Sequence, residues 1–150
     1  MEPLVKLINY TPNPERIIAA AARLCYSDKN GEDLFENLTD SEVEKLVRKI
    51  ISLGHYSVLE HVSFTFAISG ISRVTTHQLV RHRVGCSYSQ RSQRYIEEDN
   101  FNYIIPPSIQ ERPELLKKYE ETMNQLNSLY EEFAKVVPKE YARFLLPQAI

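Results

Sequence analysis

Apolar positions recur at helical spacing in several stretches of the chain and alternate in one. "NPERIIAAAARLCYS" carries Ile17, Ala21, Leu24 and Cys25 at helical intervals, with Asn13 placed to cap and Pro14 at the first helical position. "DSEVEKLVRKIISLG" presents Val43, Leu46, Val47, Ile50 and Leu53 as one stripe, and Gly54 stands where a left-handed C-cap belongs. "RPELLKKYEETMNQLNSLYEEFAKVV" predicts the longest helix. Its Tyr119, Met123, Leu126, Tyr130, Phe133 and Val137 step by four and three, a seam on which another helix can pack. "PKEYARFLLPQAI" begins a further helix with Pro138 at its first position and stays apolar to the end. In "HVSFTFAIS" the period changes: Val62, Phe64, Phe66 and Ile68 alternate with Ser63, Thr65, Ala67 and Ser69, which predicts a strand with one buried face. "LVKLINY" predicts a first strand and "FNYIIPPS" a short one ended by two prolines. Residues 72–83 read as a helix weakened by Thr75 and Thr76, and the segment after it has no period and reads as a loop. The sum is an α+β fold, a mixed β-sheet flanked by helices, with residues 1–150 as one domain around a single core.

Composition narrows the function classes. The chain is 43% hydrophobic and 25% charged, with a net charge of −2, an ordinary globular balance. That balance argues against bulk nucleic-acid or membrane-surface binding, which shows as an excess of basic residues. No apolar run approaches membrane-spanning length, and "MEPLVKLINY" has no basic region followed by an apolar one, so no signal peptide is read. Two cysteines, Cys25 and Cys86, fit a reducing, cytoplasmic setting better than a disulfide scaffold.

The charge is not evenly spread. Between His61 and Ile96 there is no Asp, Glu or Lys, yet Arg73, Arg81, Arg83, Arg91 and Arg94 lie there. Within "RHRVGCSYSQRSQRY" (Arg81–Tyr95) the gaps between arginines are filled with hydroxyl side chains. Arginine without lysine points to planar, bidentate recognition of phosphate or carboxylate. On a helix over residues 72–83, Gln78, Arg81 and His82 would share a face suited to a polar ring and its phosphate. The competing reading is an exposed loop whose arginines pair with acids from "EVEKL" or "YEE". His77 and His82 are five apart, match no zinc motif and lack a clear third ligand, so no metal is expected. Cys86 sits among arginines that favour a thiolate, but a loop cysteine is more often a small space-filler.

Four motifs in order, "GHYSVLEHVSFTF", "RHR…SQRY", "FNYIIPPS" and "YARFLLP", resemble the flavin-dependent thymidylate synthases, and the resemblance runs from about Ala20 to the last residue. It implies a homotetramer with flavin at the subunit interface. It also implies FAD reduced by NADPH, methylenetetrahydrofolate as one-carbon donor, and dUMP converted to dTMP without a cysteine adduct. His55, Ser57 and Glu60 match flavin-contacting positions, with Ser57 standing where threonine is frequent. Arg81, His82, Arg83 and Val84 match the flavin signature, and Arg81 also reaches the nucleotide. Gln78, Gln90, Arg91, Ser92, Gln93, Arg94 and Arg143 match dUMP-contacting positions, and the resemblance makes Arg81 and Ser92 the catalytic pair.

Two departures qualify the match. The signature has seven residues between R-H-R and the serine, whereas "VGCSYSQR" between Arg83 and Ser92 is eight, an insertion at Gly85 or Cys86 that glycine can absorb as a bulge or wider turn. The family also continues past "LP" with a further flavin contact and a further dUMP arginine. The expectation is therefore the N-terminal two thirds of such an enzyme, or an inactive short homologue that retains assembly alone. A single-stranded nucleic-acid binding module, with Arg and Tyr as a stacking platform, is the alternative from another class.

Overall fold

The computed structural model describes residues 2–150. The elements run β1 (Leu4–Tyr10), α1 (Pro14–Leu24), α2 (Gly31–Asn37), α3 (Asp40–Ser52), a 3-10 turn (Tyr56–His61), β2 (Phe64–Ser69), α4 (Arg73–Leu79), α5 (Pro107–Gln110), α6 (Pro113–Ala134), α7 (Lys139–Ala142) and a last 3-10 turn (Arg143–Leu145). Two compact units result, one of Val5–Ala67 and one of Met1–Leu4 with Ile68–Ile150. The fold is α+β. No helix among the described residues is long and apolar enough to cross a membrane.

In the unit of Val5–Ala67, α1 packs on α3 through Ile18, Ala19 and Ala20 against Val43 and Ile50, so the buried face of α1 is not the expected Ile17, Ala21, Leu24 and Cys25, of which Leu24 and Cys25 are exposed. Ala19 is completely enclosed, and a small side chain there lets the helices approach closely. α2, which no apolar stripe announces, is started by the Asn30 side chain accepting the Asp33 N–H at 2.8 Å, and it adds Leu34 to the core. Arg16 joins these helices. Its guanidinium donates to the Phe35 and Leu38 carbonyls and pairs with Asp40 at 2.6 Å. α3 starts in a capping box: Thr39 Oγ1 accepts the Glu42 N–H, and the Glu42 carboxylate accepts from the Thr39 N–H and hydroxyl. Those bonds hold the Glu42 carboxyl below the usual glutamate range. Asn13 stands at the N-cap of α1 as expected, but in left-handed conformation and without a side-chain cap bond; its carbonyl instead accepts the Ile17 N–H.

The other unit is built on α6. Met123 and Tyr130 are buried on the expected seam with Tyr119, Leu126 and Val137 beside them, whereas Phe133 is exposed. Phe101 and Ala142 complete the buried set. Pro138 lies one residue earlier than expected, at the N-cap of α7.

The sheet differs from the expected mixed sheet. It has two strands, β1 and β2, antiparallel, with the Thr11 N–H donating to the Ser63 carbonyl at one end and Glu2 against Gly70 at the other. "FNYIIPPS" forms no strand: the Ile104 N–H donates to the Ala149 carbonyl and the Ile104 carbonyl accepts the Tyr119 hydroxyl, each at 2.8 Å, so both of its backbone groups are satisfied without a ladder. The alternation of β2 is real, but neither face is buried, since a two-stranded ribbon buries a face only where another layer covers it.

Candidate functional site

α4 begins with the Ser72 hydroxyl accepting the Thr75 N–H and ends at Leu79, earlier than the sequence suggests. The β-branched Thr75 and Thr76 weaken it, as their side-chain stiffness predicts. Beyond Leu79 the chain continues in tighter i→i+3 turns, Arg81 N–H to the Gln78 carbonyl and His82 N–H to that of Leu79. Gln78 thus sits in the helix while Arg81 and His82 lie in the turns that follow. The next turn, Arg83–Cys86, closes with the Cys86 N–H on the Arg83 carbonyl at 3.3 Å, and its third residue is Gly85 at φ 69°. Glycine takes the left-handed position there that other residues avoid.

From Arg81 to Gln90 every residue is exposed, Val84 at 96%. The loop is not free-hanging. Tyr88 donates its hydroxyl to the His82 carbonyl at 2.9 Å, and the neighbouring Cys86 thiol raises the phenol above its ordinary range. Gln90 donates its amide to Thr76 Oγ1 at 2.8 Å, and Arg73 donates to the Arg91 carbonyl, also at 2.8 Å. Both anchors come from α4. Ser92 then folds the chain back: its carbonyl accepts the N–H groups of Tyr95 and Ile96, and its hydroxyl accepts the Arg94 N–H at 3.3 Å. Gln93 is half-buried in that turn, and the Arg94 guanidinium lies over the Tyr95 ring, 5.2 Å from its centre. Arg143 is exposed in the last 3-10 turn, with its Nε on the Glu140 carbonyl at 3.2 Å.

Among the described residues, Arg91 is the one arginine of this set with a carboxylate within reach, Glu98, at 3.5 Å. The pairing expected from "EVEKL" or "YEE" does not occur: Glu44 is taken by Arg48, and the partner is the second acid after the acid-free window closes. Arg81, Arg83 and Arg94 have no carboxylate partner among the described residues. Sequence reasoning did not single out Thr76 and Glu98 as parts of this site. The only signal was position, Thr76 on the helix before the loop and Glu98 just beyond its end.

The other candidate residues lie in the Val5–Ala67 unit. α3 ends in a paired C-cap, with the Gly54 N–H on the Ile51 carbonyl and the His55 N–H on that of Ile50. Gly54, at φ 72°, turns the chain so that His55 caps the 3-10 turn carrying Ser57 and Glu60. All three side chains are exposed.

Comparison with known proteins gives consistent findings. A family described as thymidylate synthase complementing protein matches residues 6–150. The flavin-dependent thymidylate synthase of Clostridium tetani is 47% identical over 137 residues, covering 91% of this chain and 55% of that protein. Those of Geobacter sulfurreducens and Pyrococcus furiosus are each 46% identical, over 97% of this chain and 63% and 62% of their own lengths. The chain thus spans 55–63% of the length of these relatives. The crystal structure of a UMP/dUMP methylase from Streptomyces cacaoi, bound with 5-Br dUMP, superposes with a TM-score of 0.82 at 20% identity, covering 99% of this chain and 69% of that one, which establishes a shared fold.

Proposed function

The chain belongs to the thymidylate synthase complementing protein family, and from that premise we propose that it serves the reductive methylation of dUMP to dTMP. In this reading methylenetetrahydrofolate gives the one-carbon unit, NADPH is the reductant, FAD is the bound cofactor, and the working form is a cytoplasmic homotetramer. The names of the relatives support the flavin and the reaction, and the dUMP analogue in the fold neighbour supports the nucleotide.

One observation carries the proposal: Arg81, Arg83 and Arg94 are exposed, without carboxylate partners among the described residues, in a segment devoid of lysine. Planar guanidinium donors held open in this way suit a nucleotide phosphate and the diphosphate of a flavin, so the donor set fits the cofactor. Arg81, His82, Arg83 and Val84 are assigned to flavin, as are His55, Ser57 and Glu60. Gln78, Gln90, Arg91, Ser92, Gln93, Arg94 and Arg143 are assigned to dUMP, with Arg81 common to both ligands. Bound flavin would supply the hydride that completes the methyl group. The chain's own part is orientation and electrostatics. Arg94 and Arg143 hold the phosphate, Gln78 and Gln93 present amides to the ring, and Arg81 and Ser92 bring a fixed cation and a hydroxyl to the reacting base.

The test is an absorbance scan of the purified protein after exposure to FAD, with calorimetric titrations of dUMP and of deoxyuridine. Retained flavin and a clear preference for dUMP are expected. Absence of flavin, with no preference for the phosphorylated ligand, would sink the proposal.

A further inference from the structure

Residues 91–98 form a closed structure with two distinct supports. On one side α4 holds the entry through Arg73 on the Arg91 carbonyl. On the other, α6 grips the exit with three side chains spaced along one face. Tyr130 Oη accepts the Glu98 N–H at 3.0 Å, Glu131 accepts the Asn100 N–H, and Asn127 accepts the Phe101 N–H while donating to Glu131 at 2.8 Å. Between the supports lies the Ser92–Ile96 turn that carries Arg94. Entry and exit are bridged by one side-chain contact, Arg91 to Glu98. The Glu98 side chain is 13% exposed, that of Arg91 63%. A carboxylate so covered is costly to keep unless it has a partner, whereas a solvated guanidinium is not. The pair therefore sets where Arg91 goes more than it stabilises the protein.

We infer that Glu98 is a positioning residue for the nucleotide site: it closes the 91–98 loop through Arg91 and so fixes the Ser92–Arg94 turn in the form that receives the ligand. The inference rests on the dUMP reading above. It makes a prediction opposite to that of simple charge. Glu98 has the same sign as the ligand phosphate, so as a mere contributor to the local field its neutralisation should tighten anion binding. As a positioning residue its neutralisation should loosen the turn and weaken binding.

The experiment compares the full chain with Glu98→Gln, Arg91→Met and the double variant, by dUMP calorimetry and by amide hydrogen exchange without ligand. Glu98→Gln is expected to weaken dUMP binding about tenfold, less than the full cost of breaking a buried ion pair because the Arg91 end is solvated. It should also speed exchange at the Tyr95 and Ile96 amides by a similar factor. In the Arg91→Met background the same substitution should change either readout little, because Glu98 acts through Arg91. Wild-type dUMP affinity, or tighter binding, in Glu98→Gln overturns the positioning role while leaving the function standing. Failure of the wild-type chain to bind dUMP overturns the function, and the exchange rates then decide alone: unchanged Tyr95 and Ile96 protection in Glu98→Gln refutes the closed loop.

Discussion

Tyr130→Phe removes one oxygen from the only large side chain that is completely enclosed among the described residues. The ring stays, so the packing of α6 is preserved and no cavity larger than a hydroxyl is left. What disappears is the acceptor for the Glu98 N–H at 3.0 Å. Leaving a buried donor without its partner costs about 1–3 kcal/mol. Glu98 is half-buried and water can partly replace the acceptor, which puts the expected loss at about 1–2 kcal/mol. For a chain of this size each kcal/mol moves the melting temperature by about 2–4 °C, so a fall of roughly 2–8 °C is expected. Tyr130→Ala, which also empties the ring volume, should cost about 3–5 kcal/mol and serves as the scale. The assay is thermal unfolding by circular dichroism, with hydrogen exchange at the Glu98 amide as the local readout. A melting temperature within about 1 °C of wild type, together with unchanged exchange at Glu98, would refute the claim that this hydroxyl fastens the loop to α6.

Arg94→Ala should weaken dUMP binding at least about tenfold by calorimetry, the loss of one charge-assisted contact, while FAD retention changes little; unaltered affinity removes Arg94 from the nucleotide site. Gly70→Ala should lower stability by roughly 1–3 kcal/mol in chemical unfolding, because φ is 68° and an added Cβ meets the Glu2 carbonyl. A neutral result there means that β1 does not start where it is described. Glu42 has a lowered pKa, so its contribution is present above the ordinary glutamate range and is lost as pH falls through that range to the folded value. Glu42→Gln should therefore be less stable than wild type near neutrality and show a shallower acid limb in melts across acidic pH. Parallel acid limbs would show that the capping box does not set this titration.

Much of the helical scaffold could be read without coordinates. The existence of α1, the stripes of α3 and α6, Pro14 at a helix start and Gly54 past a helix end all depend on residues within about four positions of one another, which is the range over which helical periodicity and capping act, whereas the face α1 buries was decided by packing. The arginine-rich loop was legible for the same reason: composition is local, and a run with no acid and no lysine declares its charge at once. Tertiary structure decided the rest. α2 has no apolar stripe and exists because Asn30 caps it and Leu34 finds a core. Residues 101–105 have strand-like composition, yet Ala149 and Tyr119 take the backbone groups of Ile104 before any neighbouring strand does. The alternation of β2 predicted its shape and not its burial, since a face is buried only by what lies across from it. Arg91 could not be assigned its partner from sequence, nor could Glu98 be connected with Tyr130, 32 positions away. Such pairings follow from where the chain returns in space, and loop closure over tens of residues leaves no periodic mark on the sequence.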